Sequence, residues 1–182
     1  MGILKSIKAK GQVFYTDFTV ATLIIVTAIL IYYGYVGNSS LESGSSLNEM
    51  IADVNTISSS LVTSGSPENW TASNVQRIGI TNGAQRILDD RVEEFQDVDY
   101  NNSREHFSTR FDYAVFFESR NGTVMPFDGE CAIGHPGIVV DFNGSCIKPD
   151  LSIFSPKKTV RDTRMLVHNS EIVRMNIYLW SK

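Results

Sequence analysis

FTVATLIIVTAILIYYGYV, residues 18–36, runs for nineteen positions without a charge. A helix of that length rises about 28 Å, close to the ~30 Å hydrocarbon thickness of a bilayer. The segment is apolar on every side, which suits lipid better than one face of a globular core. Its flanks agree with that reading. Lys5, Lys8 and Lys10 precede it and no charge follows until Glu42, so the excess of positive charge places residues 1–11 in the cytoplasm and everything after Tyr35 outside. Tyr32, Tyr33 and Tyr35 gather at the outer end, and Phe14 and Tyr15 at the inner end, where amphipathic rings favour the headgroup layer. A cleaved secretory signal would have a core of about 7–15 residues with small residues before its cut. Here the exits after Gly34 and Gly37 each have a tyrosine three residues back, Tyr32 and Tyr35, so the helix is expected to stay.

One carboxylate, Asp17, stands at the entrance to the run. Two readings of it are open. It marks the membrane edge, where the insertion penalty of about 3 kcal/mol at the bilayer centre is relieved, or it is neutralised by a positive charge on a neighbouring helix.

Lys10-Gly11-Gln12, placed after a short basic leader and directly before the hydrophobic helix, resembles the processing site of archaeal type IV pilin-like proteins with a class III signal peptide. The resemblance implies that a prepilin peptidase cuts between Gly11 and Gln12 on the cytoplasmic side and leaves the helix attached. It also implies that the new α-amino group of Gln12 reaches Asp17 of a neighbour when subunits assemble. The family commonly carries serine and glutamate at the third and fifth positions after the cut; this chain has Phe14 and Thr16 there. A looser similarity to small archaeal pilin-like proteins runs through Ser64–Trp70, Ile78-Gly79-Ile80, Asp112-Tyr113 and the closing Trp180. The implied partners are the membrane, other pilin subunits and the peptidase. The implied organisation is a leader (1–11), a transmembrane or filament-core helix (12–36), an amphipathic extension (37–63) and an extracytoplasmic α+β head (64–182). The alternative is the same topology without polymerisation: a single-span anchored ectodomain that binds a ligand or partner.

About 145 residues beyond the span are enough for one ordinary domain. The net charge of −4 with both signs interspersed leaves no basic stripe, which argues against nucleic acid. The two cysteines, Cys131 and Cys146, lie on the side predicted to face outward. Such a pair is most simply a disulfide, worth about 3 kcal/mol for a loop of that size; free buried thiols are the alternative. A zinc site using His135 between them would lack further ligands. Asn-x-Ser/Thr acceptors for N-glycosylation occur at Asn38, Asn69, Asn101, Asn121 and Asn143, all on the predicted outer side.

Leu47, Met50, Ile51, Val54, Ile57 and Leu61 recur at helical spacing, which continues the helix to about Thr63, with Gly37 and residues 38–46 as a candidate break. Ser64–Pro67 reads as a turn, Trp70 as a core filler, and Ala84–Val98 as a second helix. Beyond it the period changes to two. Phe111–Glu118 and Val124–Phe127 form a hairpin around Asn121-Gly122, Ile138–Phe142 and Cys146-Ile147 a second around Asn143-Gly144, and Arg164–Val167 and Val173–Trp180 a last one near Asn169. The predicted class is therefore α+β: a long N-terminal hydrophobic helix, pilin-like in order, packed on an antiparallel sheet. His106, His135 and His168 are scattered, and no Gly-x-Ser-x-Gly, His-Glu-x-x-His or phosphate loop is present. Neither enzyme chemistry, a cofactor nor a metal is called for.

Overall fold

The computed structural model describes the backbone of residues 3–138, 141–142 and 145–182; the side chains of 3–14, 16, 35–45 and 141–142 lie outside the described set. Two compact units divide the chain, Met1–Ser46 and Leu47–Lys182. Helical backbone, α1, covers Ile3–Leu61, and the candidate break at 37–46 is helical as well.

Within the second unit α1 supplies a narrow stripe. Met50, Val54, Ile57 and Leu61 are buried to 2% exposure or less, whereas Leu47 and Ile51, expected on the same face, are 40% and 43% exposed. The helix stops as Gly65 takes φ +77°. A Cβ there would meet the Trp70 ring at 2.3 Å, and one at Gly79 would meet the Gly65 nitrogen at 2.3 Å. Two backbones and an indole are thus in contact, and only glycine fits both positions. Trp70 is fully buried and donates Nε1–H to the Gly79 carbonyl at 3.2 Å, the core role expected of it.

The second helix is shorter than its periodicity suggests. α2 covers Asp89–Asp97, burying Val92 and Phe95, and residues 84–88 are not part of it. Asn82 Oδ1 accepts from the Ala84 N–H, Gln85 has φ +60°, and Ile87 N–H bonds the Val167 carbonyl. Ile87 and Leu88 fit a helical spacing but are held by strand-like pairing instead. A short helix that the apolar pattern does not announce, α3 (Tyr100–His106), follows at once, its N-cap Asp99 accepting from the N–H groups of Asn101 and Asn102.

Among the described residues seven strands follow: β1 Asp112–Glu118, β2 Val124–Met125, β3 Ile133–Gly134, β4 Asp141–Phe142, β5 Ser145–Cys146, β6 Lys158–His168 and β7 Glu171–Ser181. The main sheet is ordered β2-β1-β7-β6, with β3 also on β1, while β4 and β5 pair separately. All pairings between these strands are antiparallel. The class predicted from sequence, α+β with an antiparallel sheet, is the one observed. The β6–β7 hairpin turns through Asn169 and Ser170, both at positive φ, the two-residue geometry that matches strand twist. β6 begins six residues before the expected Arg164, and β3 was not foreseen.

The apolar positions of α1, α2 and one sheet face share a single core with Tyr113, Val115, Phe117, Met175, Ile177 and Leu179. β1 departs from simple alternation: all seven of its residues are buried. Its other face is covered by the segment after β3. Phe154 stacks on Trp180 at 5.4 Å, and His135 lies 4.7 Å from Phe154. We call the described residues of this covering segment, 135–138 and 145–157, the strap.

Candidate functional site

The apolar helix comes first. Asp17–Gly34 is long and apolar enough to cross a membrane, and none of it is buried. Twelve large apolar side chains from Tyr15 to Tyr33 are 47–74% exposed. Full burial of one such side chain is worth about 1.5–3 kcal/mol, so covering the set amounts to on the order of 10–20 kcal/mol. That matches or exceeds the roughly 5–15 kcal/mol that holds a whole domain folded. Leaving such a stretch in water is correspondingly unfavourable. Its threonine hydroxyls are already satisfied within the helix: Thr19, Thr22 and Thr27 each donate to the carbonyl four residues earlier at 2.8 Å. Asp17 is exposed at the start of the stretch. Gly11 and Gln12 lie in helical backbone, but their side chains fall outside the described residues.

Cys131 and Cys146 are joined in a disulfide, with Cα atoms 5.3 Å apart. Two residues beyond Cys146, Lys148 reaches down to Glu118 of β1 at 2.7 Å, and Arg174 of β7 approaches the same carboxylate at 3.6 Å. Glu118 is 1% exposed. Burial alone would raise its pKa, but hydrogen bonds from Lys148 and Asn176 and the two nearby cations outweigh it and hold the carboxyl below its ordinary range. Beside it Asn176, fully buried, accepts from Arg161 at 2.6 Å and Thr163 at 3.0 Å. Covalent bond and ion pair together fasten the strap to the sheet. This polar layer is structural, and apart from the alternation of β1 nothing in the chain announces it.

At the β2/β3 edge of the sheet a cleft of about 780 Å³ opens between the α2–α3 junction and the loop before β3. Asp97, Asp99, Asp128 and Glu130 rim it, and Tyr100 and His135 form an aromatic wall, their rings 5.5 Å apart. Gln96 ties α2 to this edge by donating to the Phe127 carbonyl at 3.0 Å. Burial, first of all, holds the His135 pKa below its usual value, with Lys182 and Arg104 adding to the effect against Asp112. Its Nδ1 accepts from the Gly137 N–H at 3.1 Å, which leaves the proton on Nε2. Below the cleft, Tyr100 donates to Asp112 at 2.8 Å and Tyr113 is 2.6 Å from the Ser103 hydroxyl. Burial raises both phenol pKa values, so both stay neutral.

Among the sequons, Asn69 is exposed in the turn after Pro67, and Asn101 is exposed in the first turn of α3. Asn121 is exposed at the tip of the β1–β2 hairpin, where its Oδ1 accepts from the Thr123 N–H at 3.1 Å. The side chains of Asn38 and Asn143 lie outside the described residues. His135 and His168 bond Gly137 and Asp89 rather than a hydroxyl or thiol. Among the described residues no three His, Cys, Asp or Glu side chains converge as metal ligands.

Comparison of the chain with protein-family models, with curated proteins and with solved structures gives no match.

Proposed function

We propose that this protein is a structural subunit of a pilin-like surface filament. Residues 12–36 hold it in the membrane before assembly, the leader 1–11 lies in the cytoplasm, and the α+β head with its disulfide lies outside. The observation that carries this reading is the unburied apolar stretch Asp17–Gly34, joined in one chain to a folded unit with its own core. Such a helix is satisfied either by lipid or by identical helices packed side by side, and a subunit that exchanges one for the other polymerises without exposing it to water. The disulfide supports an oxidising location for the head. Nothing in this function requires catalysis.

The test is the mass of the mature chain in a membrane extract together with electron microscopy of sheared surface material. The proposal expects a chain that starts at Gln12 and filaments that disappear when Gly11 is replaced by a bulky residue. A mature chain still carrying residues 1–11, with no filaments, would favour the second reading, an anchored ectodomain that binds a ligand. The open cleft at the β2/β3 edge is the observation in favour of that alternative.

A further inference from the structure

The two edges of the main sheet carry opposite charge. At one edge stands β6, whose only strand partner among the described residues is β7. Val167 N–H and C=O point away from β7, bonding Gln85 and Ile87, so the period of two turns the backbone groups of Thr159, Arg161 and Thr163 outward as well. That stretch of edge carries no strand partner among the described residues. Its side chains are on balance basic: Lys157 and Arg161 are exposed, Lys158 and Arg164 half-buried, with Asp162 among them paired to Arg164 and the Arg161 guanidinium donating to Asn176. At the opposite edge, beside β2 and β3, lies the cleft rimmed by Asp97, Asp99, Asp128 and Glu130. All four carboxylates are exposed, and no ion pair among the described residues engages them.

A bare strand edge is usually guarded against pairing with its own copy, and like charges along it do that. Here the same charges also leave a complementary counterpart on the same molecule. A protruding basic edge and a concave acidic cleft, set on opposite sides of one sheet, cannot satisfy each other within a subunit. Between subunits they form a head-to-tail contact, the type that propagates rather than closes on a two-fold axis.

We propose that the β6 edge of one copy docks into the acidic β2/β3-edge cleft of the next, so that the occupant of the cleft is a second copy of this chain. The inference rests on the filament reading and supplies the contact between heads that it needs. Lys157 enters between the carboxylates, while Arg161 stays on its own sheet with Asn176 and Tyr178 and adds positive charge behind it. The contact is electrostatic at its rim and weakens with salt.

The experiment uses the full chain in detergent, as an equal mixture of ¹⁴N- and ¹⁵N-labelled protein. A zero-length carboxyl–amine cross-linker is applied, and the linked peptides are read by mass spectrometry. Lys157 joined to Asp97, Asp99, Asp128 or Glu130 in mixed-isotope pairs, at least tenfold less at high salt, is the expected result. Two variants then separate the faces. Lys157→Glu with Thr159→Glu changes only exposed edge positions, and Asp97→Lys with Glu130→Lys changes only exposed cleft positions; circular dichroism checks that each remains folded. Each variant alone should lose self-association, and an equal mixture of the two should restore it between unlike copies, because the unchanged basic edge of the cleft variant meets the unchanged acidic cleft of the edge variant. Combining all four substitutions in one chain sets two glutamates on the edge against two lysines in the cleft and should restore self-association. Mixed-isotope links elsewhere only, or self-association unchanged in either single-face variant, would overturn the docking. Filaments that persist unaltered in both variants would remove this contact while leaving the filament reading in place, whereas the cross-link without any filaments would do the reverse.

Discussion

Replacing both Cys131 and Cys146 by serine isolates what the disulfide contributes. The bond closes a loop with a sequence separation of 15, and in the chain-entropy model a loop of that size is worth about 3 kcal/mol at 25 °C. The head unit, Leu47–Lys182, is a domain of about 140 residues, for which 1 kcal/mol moves the melting temperature by roughly 3–4 °C. The double variant should therefore melt about 10 °C lower. The consequence is also local. Without the bond, Lys148 remains the main ionic tie of the strap to Glu118, and the strap carries Phe154 over Trp180. Near-ultraviolet circular dichroism of Trp180 should lose intensity well below the global transition, while the far-ultraviolet sheet signal holds to the end. The assay is a pair of thermal scans at both wavelengths on the oxidised chain, the reduced chain and the double variant. A melting temperature within about 2 °C of the parent, with both signals moving together, would refute the view that the strap is fastened covalently to an otherwise complete sheet.

The Glu118 carboxyl sits below its ordinary pKa in the folded chain, so the unfolded chain binds the proton first as pH falls. Its contribution is complete above the unfolded value of about 4.3 and is lost as pH drops through the folded one; the melting advantage of the parent over Glu118→Gln should be largest at pH 6–7 and shrink toward pH 3, and a constant difference would count against the ion pair. Ile57→Ala empties a fully buried site and should cost about 2–5 kcal/mol in urea unfolding, whereas Ile51→Ala, one turn and a half earlier on the same helix but 43% exposed, should cost under about 1 kcal/mol. Equal costs would mean that the stripe has been misplaced. Ile25→Lys puts a charge in the middle of the exposed apolar stretch and should raise the insertion cost by about 3 kcal/mol, roughly a hundredfold in membrane retention after carbonate washing, without moving the melting temperature of the head. Retention at the parental level would argue that this helix is not what holds the protein in lipid.

Features carried by local pattern were legible from the chain alone. The apolar run needs only composition to be recognised, and the Asn121-Gly122 turn needs only residue type. The Cys131–Cys146 pair was read the same way, from count and side, and the bond is present. What failed depended on partners distant in sequence. Ile87 and Leu88 have helical spacing, yet β6 lies beside them and takes Ile87 into strand pairing. The early part of β6, a run of threonines and charges, turns only Val160 toward the core, too little to betray a strand that lies half in water at the edge. α3 is too short for an apolar stripe and is announced only by the Asp99 cap. The cleft was invisible for the same reason: its rim comes from α2, the α2–α3 junction and the loop before β3, about thirty positions apart, and nothing in their local sequence says that they meet.

β1 is walled on both sides, by the helices on one face and the strap on the other, and by β7, β2 and β3 along its edges. Its amides therefore have no local route to solvent and should trade hydrogen for deuterium only when the whole head opens, while those of β6 that point outward exchange within small fluctuations. The oldest protons in this molecule, on that account, belong to Tyr113–Phe117, and the time they survive is a direct reading of how rarely the head comes apart.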